Sequence, residues 1–131
     1  MNLNMRGLDQ GHQEIPQGDP VIVTTHMGDC VSVIVLYNYD PNSNRYLHAR
    51  GKHGLGGIQA IDFAALLAGV PNTPPNQIIT IPGSLQQSAF AMQMNMEYVR
   101  EGLHAHRNLL NRYVGNHPNA RVDRQGNVTR L

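Results

Sequence analysis

The feature that most constrains the fold is the stretch of residues 21–37, VIVTTHMGDCVSVIVLY. Two runs rich in β-branched residues, 21–25 and 30–38, flank a short break at residues 27–29. Runs of this length and composition, bounded by turn residues, are typical of β-strands. We therefore predict two strands, with the only cysteine of the chain, Cys30, at the head of the second.

The second predicted strand is apolar on both of its faces, because side chains alternate between the two faces of a strand. One face carries Cys30, Ser32, Ile34 and Leu36, and the other carries Val31, Val33, Val35 and Tyr37. This pattern predicts a central strand that is covered on both sides. Within such a strand a cysteine is a small buried hydrophobe, whereas at the strand head, just past a glycine, it can face a cleft and react.

Length, charge and cysteine content exclude several classes of protein. The 131 residues suit a single domain, 1–131, in which residues 1–19 form an irregular polar lead-in. A net charge of +1 without runs of like charge argues against nucleic-acid binding and against docking on a membrane. One cysteine excludes an internal disulfide and thiolate-rich zinc sites. The N-terminus lacks the apolar core of a signal peptide, so we expect a cytoplasmic protein or one exported without a cleaved signal peptide.

The rest of the chain predicts further strands and helices. We predict strands at 45–50 and 77–81, a glycine-rich loop at 51–57, a helix at 58–68 and a C-terminal hairpin turning at 125–127. The strand at 45–50 returns antiparallel after a turn at 40–44. The loop, GKHGLGG, contains no phosphate-binding motif. Gly69 and Pro71 end the helix.

A heptad pattern predicts a long helix at residues 85–113. Ser84, with Gln87 three residues later, forms a capping box at its start. From Leu85 the seam residues follow at alternating steps of four and three up to Tyr113, and all but His106 are apolar. This seam is either a face that docks on the sheet or a coiled coil through which the chain forms a homodimer. With the strands, these elements predict an α+β fold with flanking helices, including one long C-terminal helix.

Cys30 is the candidate nucleophile, and a nucleophilic cysteine needs a histidine that holds it as thiolate. His48 lies in the predicted strand at 45–50, His53 in the glycine-rich loop, and His26 just before the cysteine. The backbone N–H of Cys30 at the strand head is a candidate oxyanion donor.

The segment TTHMGDCVSVIVLY, which begins at Thr24, is followed by a turn and by a strand with a histidine. Over residues 20–82 the chain resembles the chemoreceptor glutamine deamidases (CheD) and the catalytic domain of the cytotoxic necrotizing factor toxins. The resemblance implies a β-sandwich-like core of mostly antiparallel strands with flanking helices. Asp29 stands where the chemoreceptor family usually has serine, which favours a bacterial toxin- or effector-like member.

The resemblance also implies a reaction and a set of site residues. Cys30 would attack a glutamine side chain of a partner protein, His48 would act as base, and Thr24 would orient the histidine. Glutamine becomes glutamate through a thioester, without metal or cofactor, and transglutamination is a side activity of the same chemistry. A plain hairpin register would instead bring His53 closer to Cys30. We take His48, because sandwich strands need not pair as a plain hairpin.

The alternative is a protein without catalytic activity. In that case the chain is a small α/β adaptor that dimerises through the helix at 85–113, and Cys30 is buried and silent.

Overall fold

The computed structural model describes residues 3–6, 13–15, 21–25, 30–54, 66–83 and 106–131. These residues contain nine strands: β1 (Leu3–Arg6), β2 (Gln13–Ile15), β3 (Val21–Thr25), β4 (Val31–Asp40), β5 (Arg45–Gly54), β6 (Gln77–Pro82), β7 (Leu110–Tyr113), β8 (Ala120–Asp123) and β9 (Val128–Arg130). They form a four-stranded sheet in the order β1-β3-β8-β9 and a five-stranded sheet in the order β2-β5-β4-β6-β7. Most neighbouring strands are antiparallel, but β1 pairs with β3, and β6 with β7, in parallel.

Strand β4 lies at the centre of the five-stranded sheet, with β5 and β6 on either side. One face of β4, its inner face, is turned to the four-stranded sheet. It contributes to an apolar core formed by residues of both sheets, here called the inner core, which comprises Ile22, Cys30, Ile34, Leu36, Tyr46, Ala49, Ile79, Ile81, Ala120 and Val122. The outer face of β4 belongs to a second core, which comprises Val31, Val33, Val35, Tyr37, Leu66, Leu67, Val70, Ile78 and Leu109. The prediction of a central strand covered on both sides is therefore confirmed.

A four-residue turn fixes how β4 meets β5. Asp40 pairs with Arg45 at the end of the ladder. The Asp40 carboxylate accepts hydrogen bonds from the Ser43 hydroxyl at 2.8 Å and from the Asn42 backbone N–H at 3.0 Å. These bonds stabilise the ionised carboxylate, first through Ser43, and hold the pKa of Asp40 below its ordinary value of 3.8. Asn44 closes the turn with a positive φ of 52°, a conformation that asparagine tolerates well.

The prediction of an α+β fold with a long C-terminal helix is wrong. Residues 110–113, the end of the predicted helix, form β7 and pair in parallel with β6. The burial of two neighbouring leucines is the opposite of what the seam predicts. Leu110, which lies on the seam, is 46% exposed, whereas Leu109, which does not, is 7% exposed. Pairing with the edge of β6 satisfies backbone hydrogen bonds that a helix would have satisfied locally. Residues 106–109 form a turn in which the Leu109 N–H donates to the His106 carbonyl at 3.3 Å, and residues 85–105 of the predicted helix lie outside the described residues.

The helix predicted at 58–68 is described only at its end. Leu66 and Leu67 are helical and buried in the outer core. Gly69 follows with a φ of 74°, the left-handed conformation common just after a helix, and the Val70 N–H donates to the Leu67 carbonyl at 3.1 Å. Arg50 binds this turn from β5, since its guanidinium donates to the Ala68 carbonyl at 2.5 Å.

Two segments predicted as irregular contain strands. Leu3–Arg6 and Gln13–Ile15, within the predicted lead-in, are β1 and β2. The predicted loop at 51–57 is strand as far as Gly54, so β5 is four residues longer than its predicted form. Residues 55–57 lie outside the described part of the chain. This extension matters for the site, because it places His53 on a strand rather than in a loop.

A polar cluster joins the C-terminal hairpin to the five-stranded sheet. The hairpin between β8 and β9 has the predicted turn, with Gly126 at a φ of 92°. The Arg112 guanidinium donates to the Gly126 carbonyl at 2.5 Å and to the Gln77 side-chain oxygen at 2.9 Å. The Gln77 side-chain nitrogen in turn donates to the Tyr46 hydroxyl at 2.8 Å. One more bond crosses between the sheets, from the Tyr46 N–H to the Arg124 carbonyl at 2.8 Å.

None of the described helical segments has the length and apolar character needed to cross a membrane.

Candidate functional site

The register of β4 and β5 decides which histidine lies near Cys30. It is the plain hairpin register, in which Ser32 pairs with His53 and Tyr37 pairs with His48. Paired residues of neighbouring strands point to the same face of the sheet. His53 therefore lies on the inner face of the sheet, together with Ser32 and Cys30.

The structure does not bring His48 to Cys30. The His48 ring stacks on the Tyr37 ring, with centroids 5.2 Å apart and an interplanar angle of 25°. The Arg50 guanidinium lies over the same tyrosine, 5.2 Å from its centroid. Tyr37 belongs to the outer core. His48 is thus on the opposite face of the sheet and close to the turn end of the hairpin, whereas Cys30 is at its other end.

Thr24 reaches the inner face from the other sheet. It lies on β3, and its hydroxyl oxygen is 2.6 Å from the Ser32 hydroxyl oxygen. The same Thr24 oxygen is 3.4 Å from Nδ1 of His53, a long hydrogen bond. All three side chains are buried, with exposed fractions of 0% for Thr24 and Ser32 and 1% for His53. The structure therefore brings Thr24 together with His53, across the interface between the sheets.

Cys30 lies one residue before β4, at the head of the strand as predicted. Its backbone carbonyl accepts a hydrogen bond from the Gly83 N–H at 2.9 Å, which extends the ladder between β4 and β6 by one residue. Its side chain belongs to the inner core and is 5% exposed. Cys30 and Ser32 stand two residues apart on the same face, so Cys30 is the diagonal neighbour of His53.

The segment that follows β7 is hydrogen-bonded to the end of β6 that lies beside Cys30. The Asn116 side-chain nitrogen donates to the Gly83 carbonyl at 2.5 Å, and the His117 N–H donates to the Pro82 carbonyl at 2.8 Å. Gly83, which has no side chain, stands opposite Cys30. The two hydrogen bonds therefore place Asn116 and His117 one strand beyond Gly83, on the side of Cys30 away from His53.

Sequence reasoning missed two of these residues. The alternation of the strand predicts Ser32 on the face of Cys30 but gives it no role, although it is the only small polar side chain in the run at 31–37, which is the signal that marks it. Asn116 carries no local signal, because its position beside Gly83 depends on the parallel pairing of β6 and β7. His26 and Asp29 lie outside the described residues.

The described residues contain no group of three or more His, Cys, Asp or Glu side chains placed to hold a metal ion. The inner face brings a thiol, an imidazole and two hydroxyls into one region. They belong to Cys30, His53, Thr24 and Ser32. These are the groups of thiol acyl-transfer chemistry, in which a histidine activates a cysteine and a third group orients the histidine.

Comparison with known proteins gives no match, either to a protein-family model or to a curated protein sequence.

Proposed function

We propose that this chain is a cysteine-dependent protein-glutamine deamidase in which His53, rather than His48, is the base. The observation that carries the proposal is the contact of 3.4 Å between the Thr24 hydroxyl and Nδ1 of His53, on the face of the sheet that holds Cys30. Thr24, which was predicted to orient the base, thus lies against His53 and not against His48.

The first half of the reaction forms a thioester. Nε2 of His53 takes the proton of the Cys30 thiol, and the thiolate attacks the carboxamide carbon of the glutamine. Backbone N–H groups stabilise the oxyanion, and the sequence predicts that the N–H of Cys30 is one of these donors. The tetrahedral intermediate then collapses, the bond from carbon to nitrogen breaks, and His53 gives its proton to the leaving ammonia.

The second half releases glutamate. His53 takes a proton from water, the resulting hydroxide attacks the thioester carbon, and the bond from carbon to sulfur breaks. Cys30 leaves as thiolate and regains its proton from His53. If an amine attacks in place of water, the same thioester gives a cross-linked product, which is the transglutaminase side activity.

The choice of glutamine as the reacting group follows from the resemblance of residues 20–82 to the glutamine deamidases. Because Cys30 is only 5% exposed, the proposal requires a reacting group that is slender. Glutamine carries its carboxamide at the end of two methylene groups, and a partner protein can therefore present it without bringing its own backbone into the site.

The test is the pH dependence of Cys30 alkylation in the folded protein. His53→Ala should move the profile upward, toward the value of about 8.5 for an unperturbed thiol, because the imidazolium that favours thiolate is lost. His48→Ala is the matched control, since it removes a histidine from the same strand but from the opposite face. A shift in His48→Ala and none in His53→Ala would refute the assignment of the base.

The activity itself is measured by intact mass of glutamine-containing proteins and peptides after incubation, together with ammonia release. Wild type should convert glutamine to glutamate, and Cys30→Ser should not, because serine is nearly isosteric but lacks the nucleophilic thiolate. Slow alkylation in wild type, together with no conversion of any substrate, would instead indicate a buried and silent cysteine, as in the adaptor alternative.

A further inference from the structure

The hydroxyl of Ser32 occupies a position that the proposed mechanism does not use. It lies 2.6 Å from the Thr24 hydroxyl oxygen, a much closer contact than the 3.4 Å between Thr24 and His53. Both hydroxyls are fully buried between the two sheets. Ser32, Thr24 and His53 thus form a chain of polar groups inside an apolar core.

The hydrogen bonds among Ser32, Thr24 and His53 can run in two directions. Only one of them leaves Nε2 of His53 able to act as a base. A neutral imidazole carries one proton, so Nε2 accepts a proton only when the ring proton is on Nδ1. The Nδ1–H must then donate to the Thr24 oxygen. If the Thr24 hydroxyl instead donates to Nδ1, the proton is on Nε2 and the ring cannot take the thiol proton from that side.

We infer that Ser32 is a positioning residue that selects the catalytic tautomer of His53. Thr24 has one hydroxyl proton. When that proton is donated to the Ser32 oxygen, Thr24 turns its lone pairs to His53 and accepts the Nδ1–H. Ser32 therefore acts through Thr24 and does not touch the substrate. This inference rests on the proposed function, since it takes His53 as the base.

The substitution that tests the inference is Ser32→Ala, which removes the acceptor. The Thr24 hydroxyl is then released to donate to Nδ1 of His53, and the tautomer should shift toward Nε2–H. The matched control is Thr80→Ala, which deletes an equally buried hydroxyl from the outer face of the same sheet. A merely structural loss of a hydroxyl would affect both variants alike.

The readout is the nitrogen chemical shift of the ring at alkaline pH in isotope-labelled protein that carries Cys30→Ser, so that no thiolate faces the ring, with the His53 signals identified by their loss in His53→Gln. On this background we expect Nδ1–H with Ser32 and with Thr80→Ala, and a shift toward Nε2–H with Ser32→Ala. In turnover, Ser32→Ala should lower kcat by about 100-fold, the lower end of what a positioned base contributes, with KM unchanged.

The possible outcomes separate the inference from the proposed function. An Nε2–H tautomer in the Cys30→Ser protein that keeps Ser32 overturns the inference, and so does an unchanged tautomer when Ser32→Ala is added to it. If the tautomer shifts as expected but no substrate is deamidated by wild type, the hydrogen-bond direction stands and the proposed function fails. Deamidation by wild type without a tautomer shift in Ser32→Ala refutes the role of Ser32 alone.

Discussion

Substitution of Gly126 by alanine tests how firmly the C-terminal hairpin is held against the five-stranded sheet. Gly126 has a φ of 92°, and a Cβ at this position would lie 2.8 Å from the side-chain nitrogen of Gln77. A contact this short forces the Gln77 side chain to move. Gln77 is 5% exposed and is bonded to Tyr46 and Arg112, so its movement disturbs a buried polar cluster.

The expected loss of stability has two parts. Alanine at positive φ costs about 1–2 kcal/mol through backbone strain. Displacing Gln77 weakens two hydrogen bonds, each of which contributes about 1 kcal/mol. Gly126→Ala should therefore lower the free energy of unfolding by about 3–4 kcal/mol in total, which lowers Tm by about 10–15 °C in a chain of this size.

Gly69→Ala is the control for strain alone. Gly69 has a similar φ of 74°, but no atom lies within 4 Å of the Cβ that alanine would add. This variant should lose about 1–2 kcal/mol, from strain only. Urea unfolding followed by circular dichroism gives both free energies.

A double variant makes the test sharper. In a Gln77→Ala background the obstructing side chain is gone, so Gly126→Ala should cost only the strain, as at Gly69. Equal losses for Gly126→Ala and Gly69→Ala in the otherwise unchanged chain would refute the reasoning. They would show that Gln77 moves without cost and that the polar cluster does not hold the hairpin.

Three further predictions concern the sheet and its turn. Ile34→Ala should lower the free energy of unfolding by about 2–5 kcal/mol in urea titration, because Ile34 is fully buried between the sheets and leaves a cavity. Arg50→Ala should cost about 1–3 kcal/mol by the same measurement, through loss of its charged hydrogen bonds and its contact with Tyr37, and Arg50→Lys should recover only part of it. The pKa of Asp40 is lowered mainly by the hydrogen bond from Ser43. The stability that the ionised Asp40 contributes is therefore present above pH 3.8 and is lost as the pH falls through the lowered pKa. In Asp40→Asn the decline of Tm with acid below about pH 4 should accordingly be shallower than in wild type.

The strands were predictable where the sequence itself supplies the pattern. The β-branched runs that became β3, β4 and β6 need no distant partner to be recognised. Strand β7 is different, because it forms by parallel pairing with β6, which is 33 residues earlier in the chain. Its local sequence also fits a helical heptad, and the choice depends on the free edge that β6 offers to it. The prediction of a helix there was therefore wrong for a non-local reason.

The contact between Thr24 and His53 likewise joins two sheets, and no local pattern specifies how sheets pack. The choice between the two histidines, in contrast, was contained in the alternation of β5. Its inner face carries Ala49, Gly51 and His53, and its outer face carries His48, Arg50 and Lys52.

A shift of the hairpin by one residue would turn every side chain of β5 to the other face. His48 would then share a face with Cys30, but Arg50 would give up its contacts with Ala68 and Tyr37 and enter the apolar core between the sheets, and Ala49 would leave that core. An Arg50 charge without a partner there costs several kcal/mol. The observed register thus keeps the charges on either side of Gly51, those of Arg50 and of Lys52, on the outer face. A Cys–His site built on this hairpin has to use a histidine that alternates with those charges, and within β5 that residue is His53.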